Sequence, residues 1–268
     1  MYLTDVDTVK RFCAKYGIRP DPDAGQHFLI NREALESVVA AADLHLEDTV
    51  VEVGPGFGTL TVELAKRARR VIAVELDFKL YTAAKEILSS YQNVELIHGN
   101  FFSIPFDAYK LPATSYQLIS NLPYGISGRF FRIALTRQPK PYQICVMVQA
   151  EVAERLCAEP GGLSVLGVMV QLYGQPRMIR RVPPSDFWPP PLVQSAVLSV
   201  AVRSDNECSQ LIGGEVSAEE VMRLVRIGFA ARRKTLMNNL TAALWRSPRG
   251  VIADVLSGGQ ISQNARAQ

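Results

Sequence analysis

Cysteine is scarce in this 268-residue sequence, and its placement excludes a disulfide or metal framework. Cys13, Cys145, Cys157 and Cys208 stand far apart with no Cys-x-x-Cys pair, a pattern that suits thiols in a reducing compartment. Long apolar runs are missing too: no stretch approaches the roughly 18 residues that a membrane helix needs. The first residues carry Asp5 and Asp7 where a secretion signal would have an apolar core. Nor is there an excess of either charge. With 29 basic and 26 acidic side chains the net charge is +3, so any affinity for a polyanion has to come from local clustering. No Gly-Lys-Ser/Thr occurs, which removes a phosphate-binding P-loop. The expectation is a cytoplasmic protein without metal or membrane association.

What is present is apolar residue in quantity, 48% of the chain, enough for one large core and a smaller second one. Short apolar runs at 49–54, 70–75, 94–98, 117–122 and 142–148 read as buried strands. The stretches 59–68 and 79–91 have the three-to-four spacing of helices. Strands alternating with helices predict an α/β fold with a mostly parallel, doubly wound sheet. Residues 176–182 and 195–203 read as a closing antiparallel pair around a proline-rich segment. Residues 1–24 read as a mixed lead-in. After a polar linker at 204–210 the pattern is helical throughout, which divides the chain into domains 1–203 and 204–268.

The chemistry begins at Val-Val-Glu-Val-Gly-Pro-Gly-Phe-Gly-Thr-Leu. Gly54, Gly56 and Gly58 follow a strand and precede a helix, where positive φ angles and close ligand approach are needed. A dinucleotide fingerprint wants glycine at position 59, which is Thr59, and this disfavours a nicotinamide oxidoreductase. The spacing suits the methionine carboxylate end of a cofactor better than a pyrophosphate. The next strand ends in Glu75, 17 residues past Gly58, where an acid accepts the hydroxyls of a ribose. Asn100 follows the third strand, positioned for an adenine edge.

The fourth strand runs into Asn121-Leu122-Pro123-Tyr124. The lone pair of an aromatic amine such as adenine N6 is delocalised, so the amine is a weak nucleophile. The Asn121 side-chain oxygen and the Leu122 main-chain carbonyl can each accept one N–H bond and favour a pyramidal nitrogen. Pro123 fixes the turn, and Tyr124 offers a face to an extruded base. No charged base is required.

With these motifs the chain resembles the KsgA/RsmA family of ribosomal RNA adenine dimethyltransferases. The likeness runs in order through GQHFLIN (25–31), EVGPGFGTLT, VIAVELD, SNLPY, GGLSVLGVMVQ (161–171), VPPSDFWPPPLVQSAVLSV (182–200) and FAARRKTLMNNL (229–240). It implies a Rossmann-like class I methyltransferase with a seven-stranded sheet, plus a smaller all-α C-terminal domain that binds RNA. The cofactor would be S-adenosylmethionine, leaving S-adenosylhomocysteine, in a pocket of Gln26, His27, Leu29, Gly54, Gly56, Glu75, Asn100 and Asn121. The catalytic group would be Asn121, Leu122, Pro123 and Tyr124, with Phe187 stacking on the far face of the target adenine. The implied substrate is small-subunit ribosomal RNA, free or in an immature subunit. Two adjacent adenosines near its 3′ end would each receive two methyl groups from a monomeric enzyme.

Alternatives are a large-subunit methylase of the macrolide-resistance type and a non-catalytic ribosome-assembly factor on the same fold. The GQHFL start and residues 161–171 disfavour the first, and the intact tetrapeptide disfavours the second. The chain departs from the family in having Asn100 in place of Asp, and acidic "DPDA" (21–24) in place of basic residues. It also stops where relatives continue into a short helical tail, so a shortened chain is expected. From Val221 to Gly250 there are seven basic residues and no acid. Arg226, Arg232, Arg233 and Lys234 are the expected RNA contacts, the last three at the start of a helix.

Overall fold

The computed structural model describes residues 3–111, 116–231 and 233–267; Arg232 therefore lies outside the described residues. Seven strands form one sheet in the order β4-β3-β2-β5-β6-β9-β7. They are β2 (Thr49–Val53), β3 (Arg70–Glu75), β4 (Val94–His98), β5 (Tyr116–Asn121), β6 (Gln143–Gln149), β7 (Gly174–Val182) and β9 (Ser195–Val202). The first five pair in parallel, and β9 runs antiparallel between β6 and β7. Every residue of β2 is buried, as expected of a central strand covered on both faces. The chain winds outward from β2 to β4 and returns to β5 on the other side of β2. That reversal opens a crevice beyond the carboxyl ends of β2 and β5. A small second sheet pairs β1 (Phe28–Leu29) antiparallel with β8 (Phe187–Trp188).

The lead-in is more ordered than its composition suggests. It contains α1 (Val6–Tyr16), capped by Asp5, whose carboxylate accepts the Thr8 N–H, and stopped by Gly17 in the left-handed conformation. Val9 and Cys13 of α1 pack into a cluster with Phe57 and Leu80. α2 (Arg32–Ala42) lays Leu35, Val38 and Val39 on the main core. α3 (Thr59–Ala65), α4 (Phe78–Ile87), α5 (Ser127–Thr136) and α6 (Ala150–Leu156) follow their strands.

The proposed linker at 204–210 is a helix, α8 (Asp205–Leu211). Ser204 and Glu207 cap it reciprocally, so its polar residues are helix-starting signals rather than loop composition. The division of the chain also differs from a single break at 204. One compact unit comprises residues 1–154 and 174–202, the other residues 155–173 and 203–268. The reason lies in α7 (Val165–Tyr173), almost wholly apolar, which packs against α8 and α9 (Ala218–Gly228). A Cβ at Gly167 would sit 2.7 Å from the Arg155 carbonyl, so α7 lies directly on that backbone. α10 (Leu236–Ala243) and α11 (Arg249–Gly258) complete this second unit around Met237, Ile252 and Leu256.

Candidate active site

At the carboxyl ends of β2, β3 and β5 lies a cleft of about 700 Å³, within the usual range for a small-molecule site. Its floor is the turn after β2, where Gly54, Gly56 and Gly58 have φ of 70°, 58° and 84°. Only glycine adopts three such angles in five residues without strain. Gly58 caps α3 without a side chain, which leaves the first N–H groups of that helix facing outward.

Two of the carboxylates that border the cleft are buried. Glu75, 5% exposed, accepts the Gly56 N–H on one oxygen (3.0 Å) and the Asp77 N–H on the other (2.9 Å). Each oxygen keeps a second lone pair for a ligand hydroxyl. Burial pushes the Glu75 carboxyl above its ordinary range, against these backbone donors. Glu52, 1% exposed, accepts the Thr61 hydroxyl at 2.7 Å. Burial first, and then the charge of Glu75, push its pKa up to about 8, with Thr61 opposing. Sequence reasoning gave Glu52 no role, although a lone acid inside the apolar run Thr-Val-Val-Glu-Val is itself a signal.

The sign of its effect on stability follows. A carboxyl whose folded pKa is raised stabilises fully below the unfolded value of 4.5, and that contribution is lost as pH rises toward about 8. Glu52→Gln should therefore flatten the fall in unfolding free energy across this window. The difference from the parent should grow by up to about 1.4 kcal/mol per pH unit, measured by denaturant titrations at several pH values. Parallel profiles for the two proteins would mean that Glu52 is already ionised.

On the other wall Asn121 ends β5. Its Nδ2 donates to the His27 carbonyl (3.4 Å), which leaves Oδ1 as the acceptor. The Ser120 hydroxyl donates to the Val53 carbonyl and ties the ends of β5 and β2 together. His27 is held in turn. Its Nδ1–H donates to the Pro189 carbonyl (2.7 Å), and its ring stacks on Tyr124 with centroids 5.5 Å apart. The Tyr124 hydroxyl meets Ser195 Oγ at 2.6 Å. Gly25 makes this approach possible: at φ 75°, a Cβ there would come within 3.0 Å of the Tyr124 nitrogen and 3.2 Å of the Pro123 Cα. Gly25→Ala should displace the His27 segment and weaken both ligand binding and turnover by roughly tenfold or more, as read by calorimetry and single-turnover rates. Parental values for both would mean that the loop adapts.

Of the residues expected from the sequence, Gln26, His27, Leu29, Gly54, Gly56, Glu75, Asn121 and Pro123 line the cleft. The Gln26 side chain serves its own loop by accepting the Asp21 N–H. Leu122 has a buried side chain and donates its N–H to the Met147 carbonyl, so only its own carbonyl is a candidate for chemistry. The Asn100 Oδ1 accepts the Phe102 N–H at 2.9 Å in a local turn, and its amide nitrogen is the part that could meet an adenine edge.

Phe187 is where the structure departs from the expectation. It is 2% exposed and belongs to the core cluster with Leu29, Leu35 and Val38, so its ring offers no face to a base. Strand alternation is the cause: β8 turns Phe187 inward and sends Trp188 to the α1 cluster. In the second unit Arg226, Arg233 and Lys234 are exposed. Arg233 and Lys234 precede the Thr235 cap of α10 rather than opening the helix.

A doubly wound sheet with this strand order, a glycine turn and acid on one lip and a held amide on the other, is the layout of S-adenosylmethionine-dependent methyltransferases. A solved dimethyladenosine transferase from Plasmodium falciparum superposes with a TM-score of 0.73 at 25% identity, covering 89% of this chain and 91% of that one. The 23S rRNA methyltransferase ErmE follows with a TM-score of 0.69 at 25% identity, covering 89% and 92%. Residues 19–266 match the ribosomal RNA adenine dimethylase family, and the chain belongs to that family. It is 40% identical to ribosomal RNA small subunit methyltransferase A of Dehalococcoides mccartyi, over 97% of this chain and 87% of the relative. With that of Pelotomaculum thermopropionicum it shares 37%, over 97% and 90%. It is thus an S-adenosylmethionine-dependent rRNA adenine dimethyltransferase.

Proposed function

We propose that this enzyme dimethylates N6 of two adjacent adenosines near the 3′ end of small-subunit ribosomal RNA, acting as a monomer in the cytoplasm. The observation that carries the reading is the Asn121 amide, whose N–H is engaged by the His27 carbonyl so that its oxygen is left as an acceptor. That oxygen and the Leu122 carbonyl accept the two N–H bonds of the target amine and bring out its lone pair. Both acceptors are neutral, so they serve amine and methylamine alike, as two transfers to one nitrogen require. The adenine stacks on the Tyr124 face turned away from His27, and the Ser195 contact holds that ring in place.

Two buried carboxylates suit a ligand carrying both a sulfonium and an ammonium, because a cation pairs with charge that burial otherwise disfavours. S-adenosylmethionine, when bound, supplies an electrophilic methyl group. Glu75 holds its ribose hydroxyls, and the N–H groups of the Gly54–Gly58 turn receive its carboxylate. All of these residues come from one unit of one chain, which favours a monomer. Higher identity to small-subunit enzymes (40%) than to ErmE (25%) favours the small-subunit substrate over the large. Given labelled cofactor, the purified protein should place four methyl groups on unmodified small-subunit RNA or its precursor particle and none on large-subunit RNA. The reverse preference would favour the macrolide-resistance reading.

The exposed cations of the second unit, Arg226, Arg233 and Lys234, dock the phosphate backbone. Changing Arg233 and Lys234 to Ala should lower RNA affinity across sequences. It should also flatten the salt dependence by up to about one log unit of slope per lost contact, with cofactor affinity unchanged. Equal slopes for variant and parent would make them solvated surface charges.

A further inference from the structure

The loop from Pro189 to Gln194 joins β8 to β9 and ends in an apolar tip. Leu192 is 103% exposed and Val193 46%. A single exposed leucine is ordinary on a protein surface; what distinguishes this one is how firmly its loop is held, and by what. The root of the loop is fixed by the pairing of Leu29 with Phe187 and Phe28 with Trp188, and by the His27 bond to the Pro189 carbonyl. The exit is fixed where the Ala150 N–H donates to the Gln194 carbonyl (2.9 Å) and where Ser195 meets the Tyr124 hydroxyl. Between these anchors, Pro189, Pro190 and Pro191 have their φ angles locked by their rings. The tip is therefore tied to the same His27 and Tyr124 that organise Asn121.

The surroundings suit a polyanion. From Phe187 to Ser204 there is no carboxylate, and from Ala108 to Ala150 there is none while five basic residues occur; the acids that flank these stretches are Asp186, before Phe187, and the exposed Glu151, after the Ala150 that holds the loop's exit. Two of these, Arg129 and Arg132, are exposed on α5, which begins just after the turn containing Tyr124.

We propose that Leu192 is a wedge that enters the base stack of the RNA where the target adenine leaves it, and so keeps the extruded base beside Tyr124. An apolar side chain that fills the vacated gap replaces part of the lost stacking. The leucine is a positioning residue; it touches neither the reacting amine nor the cofactor. The inference rests on the reading of the substrate as adenine in RNA.

The test compares Leu192→Ala and Leu192→Lys with the parent on two RNAs. One is a stem-loop carrying the adjacent adenosines, the other an unpaired oligomer carrying the same pair. With the wedge, both variants lose about tenfold in kcat/KM on the stem-loop and stay within twofold of the parent on the oligomer. Stem-loop RNA with 2-aminopurine at the target position should brighten on binding the parent and not the variants, while calorimetry gives the same cofactor affinity for all three. Equal losses on the two RNAs, or no loss on either, overturn the wedge. A parent protein that methylates neither these RNAs nor small-subunit RNA in its precursor particle overturns the substrate reading itself, and the wedge with it.

Discussion

Asn121→Ala lowers the single-turnover rate of methyl transfer about 100-fold, the size expected when a preorganised polar group acts mainly in the transition state. The structure supplies the reason. A side-chain amide has one acceptor and one donor end, and here the donor is committed to the His27 carbonyl. Removing the amide costs the target amine one of its two acceptors, and a pyramidal nitrogen loses more by this than a planar one. Some cofactor affinity goes as well, because Asn121 also lines the cleft. Asn121→Asp separates the parts of the argument. It keeps an acceptor but sets a carboxylate oxygen against the His27 carbonyl, so the side chain has to turn away and the rate again falls. Transfer at the parental rate by Asn121→Ala would sink the proposed mechanism.

Glu75→Ala weakens S-adenosylmethionine binding by roughly 2–3 kcal/mol, the range for hydrogen bonds to a charged group plus the donors left unpaired. Here the unpaired donors belong to the protein as well as to the ligand. Gly56 and Asp77 lose the acceptor of their N–H groups, so the glycine turn loses its brace together with the ribose contact. Glu75→Gln fares only slightly better, because its amide nitrogen then faces one of those N–H groups. Global stability should change little, since the buried carboxylate already carries a desolvation cost. Calorimetric titration is the check, and unchanged affinity in Glu75→Ala would remove this residue from the site.

The parts of this molecule that were legible in the sequence are those governed by local pattern. Strands covered on both faces read as apolar runs, and the bounds of β3, Arg70–Glu75, are legible; those of β4, Val94–His98, are too, but it lies at the sheet edge with no residue buried, where a buried strand was expected. The glycine turn and the Asn-Leu-Pro-Tyr segment were legible because backbone conformation and chemistry restrict which residues can stand there.

What the sequence did not yield depends on packing or on overlooked caps. By composition α1 and α8 read as lead-in and linker, although Asp5 before Thr8 and Ser204 before Glu207 are capping signals. The place of Phe187 is set by which face β8 turns to the core, and two residues are too short a strand to show an alternation. Asn100 spends its oxygen on the Phe102 N–H, a bond that follows from turn geometry rather than residue type. The character of Glu52 comes from its burial and from the charge of Glu75, a neighbour brought near by the fold.

The central claim is the identity of the methylated base, and locating the modification tests it most directly. Small-subunit RNA from cells lacking this gene is incubated with the purified protein and S-adenosylmethionine, then mapped by primer extension and nucleoside mass spectrometry. The account predicts N6,N6-dimethyladenosine at two adjacent positions near the 3′ end, absent before incubation and absent with Asn121→Ala. Methylation confined to large-subunit RNA, or to an atom other than N6, would contradict it.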